Sequence, residues 1–196
     1  LTASLAIYEN DRTSRQALNF ALLEDFDHLY RFSNLLMMDK DMAKNIDPKT
    51  LVGGYTEIMP GRPTIAEHRY PTDDLKNHMD AKKAELYSKL VASTITAAEQ
   101  QTMNYYMNIA QWYKNDLGRK LYSEIAMIEE EHVSQYESLK DPNMTWLEMW
   151  VLHEYCEAYL YYSAYEDETD KYIKRIWKEH FEMECAHLKV ACDLLE

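Results

Sequence analysis

Residues 129–132 read EEEH and residues 184–187 read ECAH, so the chain twice places a glutamate three positions before a histidine. On an α-helix, positions i and i+3 lie on the same face, so Glu129 and His132 can direct a carboxylate and an imidazole at one point. Composition alone predicts about one acid–histidine pair at this spacing, and the chain contains three. The spacing by itself is therefore a weak signal.

The surroundings of the two motifs are also repeated. Glu99 precedes Glu129 by 30 residues, and Glu154 precedes Glu184 by the same interval. An offset of 55 residues relates the two sets, and it also relates Tyr106 to Tyr161, Lys120 to Arg175, Leu121 to Ile176 and Glu124 to Glu179. This pattern predicts a helix hairpin that occurs twice. Two such hairpins, packed face to face, form a four-helix bundle.

The candidate ligands lie among apolar positions that are expected to face a core, such as Ile125, Ile128 and Leu188. Unpaired carboxylates in a core are strongly unfavourable, whereas two divalent cations balance four of them. Four carboxylates and two imidazoles favour iron or manganese over zinc, copper or calcium. The predicted metal ligands are Glu99, Glu129, His132, Glu154, Glu184 and His187. The alternative is a set of surface acids and two core histidines without metal.

Four segments carry a resemblance to a known family: AAEQQTMNYYMNIA, EIAMIEEEH, HEYCEAYLYY and EMECAH, within residues 95–192. They resemble the rubrerythrin-type di-iron domain of the ferritin-like superfamily, in which two helices each supply a Glu and two others supply Glu-x-x-His. The resemblance implies the same six ligands, two iron ions (or manganese), and a peroxidase or ferroxidase reaction with peroxide or O2. It also implies Glu157, one turn after Glu154, as a seventh ligand or an outer polar group. The rubredoxin-like four-cysteine segment of classical rubrerythrins is absent from this sequence, so an external electron donor is expected.

Low glycine and proline contents, 4 and 5 residues, predict an all-α fold. We expect a ferritin-like four-helix bundle with an extra N-terminal helix and a long arm that contains Pro and Gly. Residues 1–94 would hold the N-terminal helix, the irregular arm at 45–73 and the start of a long helix. Residues 95–196 would hold the di-iron bundle, and the whole would form one compact domain. Helices are predicted at 13–40, 74–115 (one long or two broken), 119–139, 145–166 and 168–195, with a break at 116–118.

Residues 22–36, LLEDFDHLYRFSNLL, look like a third copy of the ligand helix. No glutamate-bearing helix precedes them, so Asp25 and His28 are interpreted first as structural. The other interpretations are a relic, or half of a site that another chain completes, for example in a dimer that exchanges N-terminal helices. Tyr106 and Tyr161 are weaker candidates for a hydrogen bond to a ligand or for carrying an oxidising equivalent.

The charge and cysteine content limit the classes of function. A net charge of −13 and a pI near 5.0 disfavour nucleic acid and anionic membranes as partners. No apolar run reaches the roughly 18–20 residues of a membrane span. Three cysteines without a CxxC motif predict free thiols and a cytoplasmic setting. We expect a homodimer or higher homo-oligomer.

The alternatives to a peroxidase or ferroxidase function are an oxygenase acting on an organic substrate, iron binding or storage without turnover, and a metal-free helical protein with a vestigial site.

Overall fold

A computed structural model describes residues 1–40 and 75–196 of the chain. These residues contain helices and no strand, which confirms the all-α class. None of the helices in these two ranges is both long enough and apolar enough to cross a bilayer. The predicted arm at 45–73 lies outside the described residues. The helices are α1 (Thr2–Tyr8), α2 (Arg12–Asp39), α3 (Leu86–Trp112), α4 (Asp116–Glu137), α5 (Trp146–Asp167) and α6 (Lys171–Leu195).

The predicted helix at 74–115 begins later than expected. Residues 75–85 are not helical, because Asp80 closes a turn there: its side chain accepts from the Lys82 N–H and its carbonyl accepts from the Lys83 and Ala84 N–H groups. The carboxylate of Asp141 accepts from the Ala81 N–H at 2.8 Å and holds the same turn. Side-chain acceptors of this kind compete with helix formation, and this explains the late start of α3.

The predicted break at 116–118 is wrong, because α4 already begins at Asp116. The side chain of Asn115 caps the helix and accepts from the Gly118 N–H at 2.8 Å. Gly118 stands in the first turn because the ring of Tyr113 occupies the space that a Cβ atom would need. The glycine that suggested a break is therefore required by close packing inside a helix.

The described residues divide into two compact units. The first comprises Ile95–Leu139 together with the described residues of Leu1–Asn77, and the second comprises His78–Thr94 and Lys140–Glu196. One junction falls at the predicted boundary after residue 94, and the other divides the predicted bundle at 95–196 between the units. The ferritin-like four-helix bundle therefore stays a prediction.

In the first unit, α1 packs on α2 and α2 packs on α4. Leu18 and Ala21 of α2 and Ile125 and Ile128 of α4 are buried. At the edge of this core, the two guanidinium nitrogens of Arg31 donate to the two carboxylate oxygens of Glu124 at 3.2 and 3.0 Å. Apolar burial and this paired contact hold α2 and α4 together.

In the second unit, α5 and α6 form an antiparallel hairpin joined by a short turn. Buried side chains come from the start of α3 and from α5: Leu90 and Val91 from α3, Leu152 and Cys156 from α5. The Thr94 hydroxyl and the Cys156 thiol are in hydrogen-bond contact at 3.1 Å.

We expect Thr145→Ala to destabilise the second unit. Thr145 and Glu148 form a reciprocal capping box at the start of α5, with bonds of 3.2 Å to the Glu148 N–H and 2.7 Å to the Thr145 N–H. Loss of such a cap costs about 0.5–2 kcal/mol of unfolding free energy. Urea unfolding followed by circular dichroism measures it. The matched control Thr169→Ala should have a smaller effect, because Asp170 is the cap of α6; equal effects would contradict the capping role.

Candidate metal centre

The first unit contains a buried group of acidic and histidine side chains. Helix α4 places Glu129 and His132 on one face, and His132 Nδ1 lies 3.1 Å from Glu129 Oε2. Helix α3 brings Glu99, whose Oε2 lies 3.8 Å from the same nitrogen. The His132 side chain is only 1% exposed. The helical spacing of the EEEH motif therefore directs both side chains inward, as predicted.

Helix α2 supplies the opposite side of this group. Oε2 of Glu24 lies 2.6 Å from His132 Nε2, and His28 Nδ1 lies 3.1 Å from Glu129 Oε1. Asp25 stands beside them and accepts a hydrogen bond of 2.7 Å from the hydroxyl of Thr2 in α1. Three long helices thus converge on one point, and α1 orients one of the carboxylates.

The dimensions of the group suit a metal ion. One ligand atom from each of Asp25, Glu99, Glu129 and His132 can be chosen so that all lie within 4.8 Å of one another. An ion about 2.1 Å from each ligand atom holds any two of them no more than about 4.2 Å apart. The group would therefore contract around an ion that binds all four atoms.

Two buried polar atoms beside this group have unused hydrogen-bonding capacity. Oε1 of Glu24 and Nε2 of His28 have no hydrogen-bond partner among the described residues. Both side chains are almost fully buried. A buried polar atom without a partner costs free energy. These two atoms are therefore available to contact a group that is not part of the described residues.

The protonation of the acids follows from burial and from hydrogen bonding. Burial raises the pKa of Glu99 to about 8 and also raises the pKa of Asp25. Burial opposes the charge of Glu129 too, but contacts with His132 and His28 outweigh it and hold the pKa of Glu129 well below its usual range. The neighbouring carboxylates likewise raise the pKa of His132 despite its burial. In the metal-free site, protons thus provide the positive charge.

The second unit contains a smaller group, formed by Glu154, Glu184 and His187. His187 Nδ1 lies 2.9 Å from Glu184 Oε2 and 3.8 Å from Glu154 Oε2. Trp150 Nε1 donates to Glu154 Oε1 at 2.6 Å. The hydrogen bond with Glu184 raises the pKa of His187. The His187 side chain is 53% exposed.

The two groups repeat the same local geometry. The histidine-to-motif-glutamate distances are 3.1 and 2.9 Å, and the distances to the glutamate of the preceding helix are 3.8 Å in both. The sequence offset of 55 residues is therefore also a structural repeat. In the first group, α2 adds Glu24, Asp25 and His28 to this arrangement.

The predicted ligands are thus distributed between the two units. Glu99, Glu129 and His132 meet in the first, and Glu154, Glu184 and His187 meet in the second; a single centre built from all six stays a prediction. Glu157 is half-buried on α5 and belongs to neither of the groups found among the described residues. Its role as a ligand also stays a prediction.

Helix α2 contributes more than the sequence interpretation assigned to it. Asp25, which was first interpreted as structural, belongs to the first group, and His28 contacts Glu129. Sequence reasoning missed Glu24 altogether. A signal was present, since Glu24 lies four residues before His28 and one before Asp25, in a helix that repeats the ligand pattern.

The two candidate tyrosines have different surroundings. Tyr106 packs on Phe32, with ring centroids 5.1 Å apart, and burial together with the charge of Glu129 raises its pKa. Tyr161 stacks on Trp177 at 6.1 Å, and burial is the main cause of its raised pKa. Both phenols stay protonated at neutral pH, and their catalytic roles stay predictions.

Comparison with known proteins adds no relative. No protein-family model, no curated protein and no solved structure matches the chain. The interpretation of the site therefore depends on the residues and distances described above.

We expect metal binding at the first group to release protons. At pH 7 the metal-free site holds one proton on Glu99, whose pKa is about 8, and an extra one on His132, whose pKa is raised. An ion that binds both side chains displaces these protons. Affinity for Mn²⁺ should therefore rise between pH 6 and pH 8, by up to about tenfold per pH unit for each displaced proton.

Isothermal titration calorimetry in two buffers of different ionisation enthalpy counts the released protons. Glu99→Gln should lower that count by about one, because glutamine has no titrating proton at this position. An affinity that stays constant between pH 6 and pH 8 would contradict the protonation described for this site.

Proposed function

We propose that the first group holds iron or manganese, and that the protein is a rubrerythrin-like oxidoreductase that reacts with peroxide or O2. One observation carries this proposal. Acidic side chains from three helices converge, inside a core, on a histidine that is only 1% exposed. A group of this composition needs a source of positive charge, and divalent ions are the usual source in helical bundles.

The charges support a metal rather than a purely structural network. Glu24, Asp25, Glu99 and Glu129 carry up to four negative charges, against two imidazoles. Protons balance part of this charge in the metal-free state, but Glu24 Oε1 and His28 Nε2 still lack partners. Buried networks of which only part is satisfied are costly, so a function for the site accounts for their presence better than stability does.

The donor set favours iron or manganese over zinc and copper. Carboxylate oxygens outnumber imidazole nitrogens, and none of the ligand candidates is a thiolate. Bound iron or manganese would supply one-electron redox chemistry and Lewis acidity.

The chain itself would orient the ligands and keep water away. Glu24 accepts the Nε2–H of His132 at 2.6 Å, and this bond directs Nδ1 towards Glu99 and Glu129. A carboxylate that accepts a hydrogen bond from one ring nitrogen of a histidine fixes the tautomer and the ring orientation. It also makes the other nitrogen, which binds the metal, more basic. The hydroxyl of Thr2 holds Asp25 in a similar way, because it donates to one of the two carboxylate oxygens of Asp25.

The enclosure of the site favours a small substrate. A surface groove of about 780 Å³ lies along the C-terminal end of α3 and the first half of α4, but none of its lining residues belongs to the metal group. It therefore offers no support for an organic substrate at the metals. Peroxide and O2 need only small-molecule access, and an external donor would supply the electrons.

Metal analysis with a matched pair of variants tests the proposal. We expect iron or manganese at this centre of the wild-type protein, with Glu129→Gln losing the metal and Glu130→Gln keeping it. Glu129 is buried, whereas its neighbour Glu130 is exposed on the same helix, so the pair differs in position and not in chemistry. Peroxide consumption with a chemical reductant should fall with the metal content.

As a control, circular dichroism should show that both variants are folded. A wild-type protein that binds no iron or manganese after loading would overturn the proposal. Metal bound equally by the two variants would also overturn it. Metal without peroxide or O2 turnover would leave a binding protein and would overturn the enzymatic part.

A further inference from the structure

Aromatic rings form a continuous cluster beside the metal group of the first unit. Phe32 of α2 packs on Tyr106 of α3 and on Tyr122 of α4, with ring centroids 5.1 and 4.7 Å apart. The rings of Tyr106 and Tyr122 also contact each other, at 5.7 Å. Tyr122 in turn contacts Tyr113, the first residue after α3, at 5.4 Å. Tyr106, Tyr122 and Tyr113 thus contact one another in this order and form a tyrosine chain.

The tyrosine chain begins two helical turns from the candidate metal ligands. Tyr106 is seven residues after Glu99 on α3, and Tyr122 is seven residues before Glu129 on α4. Seven residues are about two turns, so each ring lies on the same helix face as the acid, about 10.5 Å away along the axis. Burial raises the pKa of Tyr106, and the charge of Glu129 raises it further. One end of the chain is therefore close to the metal group.

The other end of the tyrosine chain has a proton acceptor. The hydroxyl of Tyr113 donates a hydrogen bond to Oδ2 of Asp39, the last residue of α2. Nδ2 of Asn115 donates to the other oxygen of this carboxylate at 2.9 Å and fixes its orientation. The hydrogen bond with Asp39 raises the pKa of Tyr113 to about 12, so the phenol keeps its proton at neutral pH. Tyr113 is therefore placed to release a proton to Asp39 only when it loses an electron.

Packing accounts for the rings of this cluster but not for their hydroxyl groups. Aromatic pairs stabilise a core whether or not they carry a hydroxyl. Phe32 shows that a ring without a hydroxyl fits in the same cluster. The three members of the chain are tyrosines, which lose one electron much more readily than phenylalanine does. A chain of oxidisable side chains that extends from a metal group to a carboxylate is suited to electron transfer.

We infer that the tyrosine chain carries single electrons to the metal group of the first unit, and that Asp39 accepts the phenol proton of Tyr113 when Tyr113 is oxidised. The inference rests on the proposed function, because oxidised iron or manganese is the electron acceptor. Electron transfer through protein slows steeply with distance, so short transfers between rings in contact are faster than one long transfer. The chain therefore connects the buried group with the end of α2.

Each transfer moves one electron and one proton at Tyr113. Tyr113 loses an electron to Tyr122, and its O–H bond breaks as the proton moves to Asp39, because an oxidised phenol is a strong acid. An external one-electron donor then reduces the Tyr113 radical, and the proton returns from Asp39 to the phenol oxygen. Two such cycles, together with two protons from solvent, supply what one molecule of peroxide needs to form two molecules of water.

Electron paramagnetic resonance on the full chain, loaded with iron or manganese, tests the inference. We expect peroxide, added without a donor, to produce a tyrosyl radical signal whose lines simplify when the tyrosines carry ring deuterium. Tyr113→Phe should lose this signal, because it removes the hydroxyl and keeps the ring that packs on Tyr122. The control Tyr30→Phe should keep the signal. Tyr30 lies two residues before Phe32 on α2, about 160° around the helix from it.

Asp39→Asn gives a second readout, which a purely structural role of this residue would not change. Asparagine keeps the size of the side chain and can still accept the hydrogen bond from Tyr113, but it does not take up the proton. Rapid freezing should therefore show that the radical appears about 100-fold more slowly, as expected for the loss of a positioned proton acceptor. The metal content of this variant should equal that of the wild type.

Metal content and peroxide consumption separate this inference from the proposed function. A wild-type protein that binds metal and consumes peroxide, but forms no tyrosyl radical or forms the same radical in Tyr113→Phe, would overturn the inference alone. A wild-type protein that binds no metal would overturn both. An unchanged rate of radical formation in Asp39→Asn would overturn the role of Asp39 as the proton acceptor.

Discussion

The contact on which the rest of the first unit depends is the hydrogen-bonded position of His132 between Glu24 and Glu129. The His132 imidazole is 1% exposed, and its two nitrogens have partners on different helices. The hydrogen bond between Glu24 and His132 fixes the position of α2 along α4. Asp25 and Glu99 lie beside this contact, and burial raises the pKa values of both because a buried negative charge is unfavourable.

The comparison between the two groups shows how one local design acquires different chemical surroundings. Both hairpins hold the motif glutamate and the preceding-helix glutamate at nearly the same distances from the histidine. In the first unit, α2 covers the histidine and the electrostatics become those of a buried site. In the second, His187 is 53% exposed and solvent screens its contacts. Helix geometry sets the directions of the ligand side chains, and their exposure to solvent decides how strongly they interact.

Much of the architecture could be predicted from the sequence, because it depends on local rules. The helices at α2, α4, α5 and α6 follow from apolar periodicity. The starts of α4 and α6 differ from the predicted ones, because the side-chain caps Asn115 and Asp170 set them. The errors arose where local signals were ambiguous. Gly118 resembled a helix break but is required by the ring of Tyr113, and Asp80 formed a turn where the apolar pattern alone favoured a helix. The hydroxyl of Tyr113 donates to Asp39, and the turn at Asp80 is held by Asp141. These long-range partners cannot be recognised from the local sequence.

The sequence by itself determined the helical class, the repeated hairpin and the direction of each glutamate–histidine pair, because an i, i+3 spacing has only one outcome on a helix. Only the tertiary structure decided which helix faces which. It brought α2 opposite α4, made Glu24 a partner of His132 and placed Asp25 among the candidate ligands. The physical reason is that ligand sets are completed by side chains far apart in the chain. Their meeting depends on how apolar faces pack, which spacing along one helix does not specify.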